Sequence, residues 1–271
     1  LKRETIRSRI WHEEAESDNP FAAARCHCHG YDVYGEVLGR ADWSEYLYLL
    51  FRGDRPIPGH RRLLNDLAVA LANPGPRDHS VLAAMNGGVG GSHAAACLMA
   101  ALGVGAGQLG GGREVRLAME LWGSCGTDID GWRRTLSNPS AATRADVWPE
   151  IEHAPGFDPH GVSCPTPVRQ TLEHLASIEG GDTLSWLRDN RGALEEIARC
   201  PLAMTGVAAA AFVDLGFTPA QAEYLYLILR LPGAAAHALE QQEFGFRHFP
   251  FFQNAVHLTD DPGPAGAGRI E

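Results

Sequence analysis

Between Leu202 and Gln242 the sequence runs through a small-sided apolar stretch, a Leu215-Gly-Phe-Thr-Pro219 break, and then Arg230-Leu-Pro-Gly233 followed by Ala236-His237-Ala-Leu-Glu240. The alanines of the first stretch let neighbouring backbones approach closely, which suits a helix packed on every side. Thr218 and Pro219 supply an N-cap and a first-turn proline, and Gln221 stands where a capping box needs its partner. The helix opened there carries Tyr224, Leu225, Ile228 and Leu231 on one face, and Pro232 is expected to kink or break it. Two helices joined by a tight turn, one of them buried all round, require a thick helical core.

The rest of the chain agrees. Trp43, Tyr46, Leu47 and Leu50 recur at helical spacing behind Asp42 and Ser44, and Leu63, Leu64, Leu67 and Leu71 do so from His60 to Ala72, before Asn73-Pro74-Gly75-Pro76. Arg113 to Trp122 reads as an amphipathic helix, and Thr166 to Ile178 as another behind a Thr-Pro start. Ala94 to Ala106 is almost wholly apolar and is expected at the molecular centre. Asn138 to Pro167 reads as loop around short helices, and Asp260 to Glu271 as a disordered tail. The expected fold is all-α, with roughly ten helices and no internal repeat.

Composition excludes several functions. A chain of 271 residues with a formal charge of −10 offers no basic field for phosphate backbones or anionic lipid, so neither nucleic acid nor membrane is an expected partner. No apolar run approaches the ~20 residues that cross a bilayer. The charged N-terminus lacks a signal core, so the six cysteines are expected reduced in a cytoplasmic protein. Cys26-His27-Cys28-His29 invites a metal reading, but alternate strand residues face opposite ways and no second ligand pair follows at zinc spacing. No metal is expected. His93 and His237 lie on apolar helices and read as structural.

Three blocks carry a family resemblance that covers nearly the whole chain. His29-Gly-Tyr-Asp32 running into Tyr48-Leu-Leu-Phe-Arg-Gly-Asp-Arg-Pro56, the Gly107-Gln-Leu-Gly-Gly-Gly112 turn, and Arg230-Leu-Pro-Gly-Ala-Ala-Ala-His237 are together similar to the citrate synthase superfamily, in particular its short citryl-CoA lyase branch. The resemblance implies a citrate synthase-like fold. Its large helical domain would comprise residues 1–106 and 205–260, with a smaller inserted helical domain at 107–204 and a tail at 261–271. It also implies a homodimer in which Ala94–Ala106 packs near its counterpart, and a coenzyme A thioester of a polycarboxylate as ligand.

The departures fall on the chemistry. The family pattern has a His in the glycine turn, where Leu109 stands and which the ATP-citrate lyase branch also lacks, a His after Pro-Gly-Phe, where this chain reads Asp158-Pro-His160 one residue late, and an Asp where it has Thr205. Cleaving or forming the carbon–carbon bond needs a base at the thioester α-carbon and donors at both developing oxyanions, and neither Thr205 nor Leu109 fills those roles. The resemblance leaves Arg230 as carboxylate binder, Arg169 near the loop that meets the coenzyme, Gly110 and Gly111 in the turn, His160 as the remaining acid or oxyanion donor, and Thr205 as a positioning hydroxyl. Three readings follow: a lyase or acyltransferase with an altered acid–base set, a non-catalytic binding or regulatory subunit, and a thioesterase using Cys164, which lies near His160.

Overall fold

The computed structural model describes residues 7–137 and 153–249. The expected loop at 138–152 and the tail from 250 onward lie outside them.

A three-stranded antiparallel sheet opens the described chain: β1 (Trp11–Ala15), β2 (Ala23–Cys28) and β3 (Tyr31–Asp32), in that order. β2 carries Cys26, His27 and Cys28, with His12 opposite His27 and Glu13 opposite Cys26, and His29 lies in the turn that follows. Ten helices follow. They are α1 (Trp43–Arg52), α2 (Pro58–Leu71), α3 (His79–Val89), α4 (Ala94–Gly105), α5 (Gly112–Cys125), α6 (Ile129–Ser137), α7 (Thr166–Ala176), α8 (Thr183–Ala198), α9 (Met204–Asp214) and α10 (Pro219–Phe244). No helix among the described residues is long and apolar enough to cross a membrane.

The helices begin where sequence chemistry places caps. Asp42 accepts the Glu45 N–H at 2.8 Å at the head of α1, and Thr218 and Gln221 close a reciprocal capping box at the head of α10. Pro232 departs from expectation, because α10 runs through it to Phe244. The proline ring removes one backbone donor, and the next one, Gly233 N–H, bonds at 2.7 Å to the Ala72 carbonyl at the end of α2. The backbone group is therefore satisfied by a neighbouring helix, and the helix continues.

The core centres on α9. Every residue from Thr205 to Phe212 is buried, and Val207, Ala208, Ala209, Ala210, Ala211 and Phe212 are fully inaccessible. Around it pack Leu63, Leu64 and Leu67 of α2, Val115 and Ala118 of α5, Leu172 and Leu175 of α7, Leu187 and Leu194 of α8, and Leu225 of α10. A smaller cluster joins Val81 and Ala84 of α3, Cys97 and Ala101 of α4, and Ala234 and Ala238 of α10. α4 is thus not the central helix that its composition predicted. Met99 is 64% exposed and Val104 48% exposed, and only Cys97, Ala101 and Gly105 of this helix are buried within the chain.

Candidate functional site

Three segments distant in sequence meet at one buried carboxylate. Glu114 lies in the first turn of α5, directly after the glycine turn, and is 2% exposed. Its Oε2 accepts the Gly110 N–H at 2.5 Å, and its Oε1 accepts the Gly156 N–H at 3.0 Å and the Thr205 hydroxyl at 3.2 Å. His153 Nε2 stands 3.6 Å from Oε1, beyond hydrogen-bond reach, and has no other partner among the described residues. A buried carboxylate needs several donors to offset its lost hydration, and here two are backbone amides held in fixed positions.

Backbone pairing sets those positions. Asp158 N–H donates to Pro201 O at 2.8 Å and Ala203 N–H to Gly156 O at 3.0 Å, so residues 156–158 run antiparallel to 201–203 immediately before α9. Gly206 makes the approach possible: a Cβ there would come within 2.4 Å of the Gly156 carbonyl oxygen. The loop after Pro155 is consequently fastened to the helix that carries Thr205.

The glycine turn is held from its other side by α10. Gly110 adopts φ +69°, a left-handed conformation that glycine takes without penalty. Its carbonyl accepts the Tyr226 hydroxyl at 3.1 Å and Arg230 Nη1 at 3.0 Å. Arg230 is 6% exposed, lies with its guanidinium carbon 4.8 Å from the Tyr226 ring centroid, and pairs through Nη2 with Asp78, which also caps α3. Burial pushes the Tyr226 phenol up to about 12, Asp78 and Glu114 add to this, and Arg230 opposes it, so the phenol is a standing donor to Gly110 O near neutral pH.

The residues singled out in the sequence fall into two groups. Thr205, Gly110, Gly111 and Arg230 lie in or against this cluster. Arg169 does not: it lines a separate open cleft of about 570 Å³ with Cys164, Arg191, Glu195, Arg199 and Cys200, and Pro201 joins that cleft to the 156–158 loop. His160 is exposed, with its backbone N–H on Asp158 Oδ1 at 2.9 Å, and it does not line the cleft. Leu109 is 57% exposed. Burial pushes the Cys164 thiol up and Glu195 adds to it, against the pull of Arg191 and Arg169, which opposes the thiolate a nucleophile requires.

Sequence reasoning passed over Glu114, His153 and Asp78. Glu114 reads as an ordinary first-turn acid on an amphipathic helix. A signal was present: it follows the glycine turn by two residues, where a carboxylate can bond back to the turn's amides.

The architecture is that of an all-α, citrate synthase-like protein. In structure, the chain is similar to citryl-CoA lyase from Hydrogenobacter thermophilus, with a TM-score of 0.74 and 17% identity over 96% of this chain and 97% of that one. It is also similar to ATP citrate lyase from Methanothrix soehngenii, solved in complex with citrate and coenzyme A, with a TM-score of 0.73 and 15% identity over 96% of this chain and 42% of that one. Citrate synthase from Thermotoga maritima gives a TM-score of 0.55 at 17% identity, over 84% of this chain and 61% of that one. Neither a protein-family model nor a curated protein sequence matches the chain. The chain therefore has a citrate synthase-like fold.

Proposed function

We propose that the chain binds a coenzyme A thioester of a polycarboxylate and acts on it as a citryl-CoA lyase-like protein with an altered catalytic set. The observation that carries this reading is the convergence on Glu114. The glycine turn, the loop after Pro155 and Thr205, where the resemblance puts the reacting groups, meet at one buried carboxylate. Arg169, with Arg191 and Arg199 in the same cleft, offers guanidinium forks for the coenzyme's phosphates. Arg230, Gly110 and Gly111 form the polycarboxylate side, with Thr205 as a positioning hydroxyl. Asp78 pairs with Arg230, so a substrate carboxylate has to displace it there.

A second reading, a non-catalytic binding or regulatory subunit of the same fold, is favoured by one observation. His160, the only residue proposed as acid, is exposed on the loop surface. The Cys164 thioesterase reading draws no support from its raised thiol.

Titration of the purified protein with coenzyme A and citryl-CoA by calorimetry is the test. Binding is expected at or below millimolar concentration, and Arg169→Ala is expected to weaken it roughly tenfold, the worth of one charge-assisted contact. Release of oxaloacetate from citryl-CoA separates the lyase from the subunit, and no coenzyme binding at millimolar concentration rejects both.

The protein is further proposed to be a cytoplasmic homodimer, with a large domain of residues 1–106 and 205–260 and a small one of 107–204. The uncovered apolar face of α4, with Met99 and Val104, supports a two-fold contact between copies of this helix. Light scattering is expected to give a dimer at micromolar concentration and a monomer for Met99→Lys. A wild-type monomer would count against the assembly.

A further inference from the structure

A second charged cleft lies away from the Glu114 cluster, where the N-terminal turns of α1 and α2 come together. It is an open groove of about 600 Å³, lined by Arg40, Arg55, Arg61 and Arg62 on the basic side and by Asp42 and Glu45 on the acidic side. Four guanidinium groups against two carboxylates leave a formal +2 in a chain whose total is −10.

The two acids are committed to scaffolding. Glu45 is 6% exposed and sits between two arginines, taking Arg55 Nε at 2.7 Å and Nη2 at 2.5 Å on one oxygen, with Arg61 Nη1 at 3.9 Å from the other. Asp42 caps α1 through the Glu45 N–H and holds Arg61 Nε at 2.5 Å. Burial works to raise the Asp42 carboxyl, but the Glu45 amide, the Ser44 hydroxyl and Arg61 together hold it below its ordinary value. The other two arginines are not so engaged. The Arg40 side chain makes no hydrogen bond or ion pair among the described residues, and Arg62 has only Asp66, at 3.7 Å. α2 also starts without a side-chain cap: Ile57 precedes it and Pro58 opens it. The N-terminus of α2, with no side-chain cap, therefore adds its positive end to a cleft that already carries excess positive charge, whereas that of α1 is answered by Asp42.

We propose that this cleft is a binding site for a small phosphorylated anion, separate from the thioester site. Arg55 and Arg61 are pre-oriented by buried or capping carboxylates, so little side-chain freedom is lost when their remaining N–H groups meet a ligand. Arg40, unpaired among the described residues, and Arg62, held only by Asp66 at 3.7 Å, supply two further charges, which match a phosphoryl or pyrophosphoryl group better than a single carboxylate. The cleft falls in the size range of ligand pockets and exceeds what inorganic phosphate alone would fill.

The test uses the full-length protein with pyrophosphate and inorganic phosphate as probes, by calorimetry at low ionic strength. The wild type is compared with the double variant Arg40→Ala/Arg62→Ala and with Arg169→Ala. All three replaced side chains are exposed, and circular dichroism checks that the variants fold. Pyrophosphate is expected to bind more tightly than phosphate, to lose affinity roughly tenfold or more in the double variant, and to be unaffected by Arg169→Ala. Coenzyme A binding is expected to survive in the double variant, which keeps this result independent of the proposed thioester function. No pyrophosphate binding at about 5 mM, well above the range of a specific two-arginine clamp, would overturn the proposal. So would binding that the double variant leaves intact, or a loss of coenzyme A affinity equal to the loss for pyrophosphate.

Discussion

Glu114→Ala is expected to destabilise the protein by about 3–5 kcal/mol, the range seen when one member of a buried polar cluster is removed and its partners are stranded. Gly110 N–H, Gly156 N–H and the Thr205 hydroxyl all lose their acceptor, and the last two are buried where no water replaces it. The two amides belong to backbone fixed by other contacts, Gly110 by Tyr226 and Arg230 and Gly156 by the pairing with Ala203, so neither turns easily to a new partner. Glu114→Gln keeps the shape and one acceptor oxygen but aims an amide NH₂ at donors, and is expected to lose about 1–3 kcal/mol. Urea unfolding gives both values. A Glu114→Ala protein within 1 kcal/mol of wild type would show that Glu114 does not bind these segments together.

Thr205→Asp, which restores the carboxylate that the resemblance places at this position, is expected to be costly for the same reason. Thr205 is 2% exposed and its Oγ1 lies 3.2 Å from Glu114 Oε1, so two carboxylates would share a buried site and one would be driven to hold a proton. The sign follows from linkage: the introduced group has a raised pKa in the folded state. Stability is retained at acidic pH and lost as pH rises through that value, with a loss of at least about 2 kcal/mol near neutrality. Unfolding measured at about pH 4.5 and about pH 7.5 should show a gap that the wild type lacks. Equal destabilisation at both values would mean that the new carboxylate does not face Glu114. Gain of citryl-CoA cleavage is expected to be weak at best, since Leu109 supplies no donor for the second oxyanion.

The helical fold was legible because its determinants are local. Leu63, Leu64, Leu67 and Leu71 mark one face of α2 by spacing alone, and Thr218, Pro219 and Gln221 mark the start of α10 by chemistry alone. What misled was uniform apolarity. Residues 94–106 and 204–214 look alike in sequence, yet α9 is buried by its own chain and α4 presents Met99 and Val104 outward. Periodicity reports how much of a helix avoids water, not whose side chains cover it. Pro232 was read by its local cost, and the Ala72 carbonyl that receives the Gly233 amide comes from a helix about 160 positions earlier.

The site was legible only in part, for a related reason. Thr205, Arg230 and the glycine turn stand out because motifs similar to the family's surround them, and they lie together. Glu114 did not stand out, since its partners at 110, 156 and 205 become neighbours only when residues 156–158 pair with 201–203. His160 shows the converse: it has the chemistry the reaction needs, at nearly the right spacing, and its side chain stands exposed while the loop's backbone turns inward to Glu114.

Hydrogen–deuterium exchange with and without saturating coenzyme A tests most directly whether a thioester site is built on these segments. Protection is predicted in peptides covering residues 156–169 and 191–205, which carry the arginine cleft with Arg169 and the paired backbone that leads to Thr205. No protection at saturation, or protection confined to residues 40–65, would contradict it.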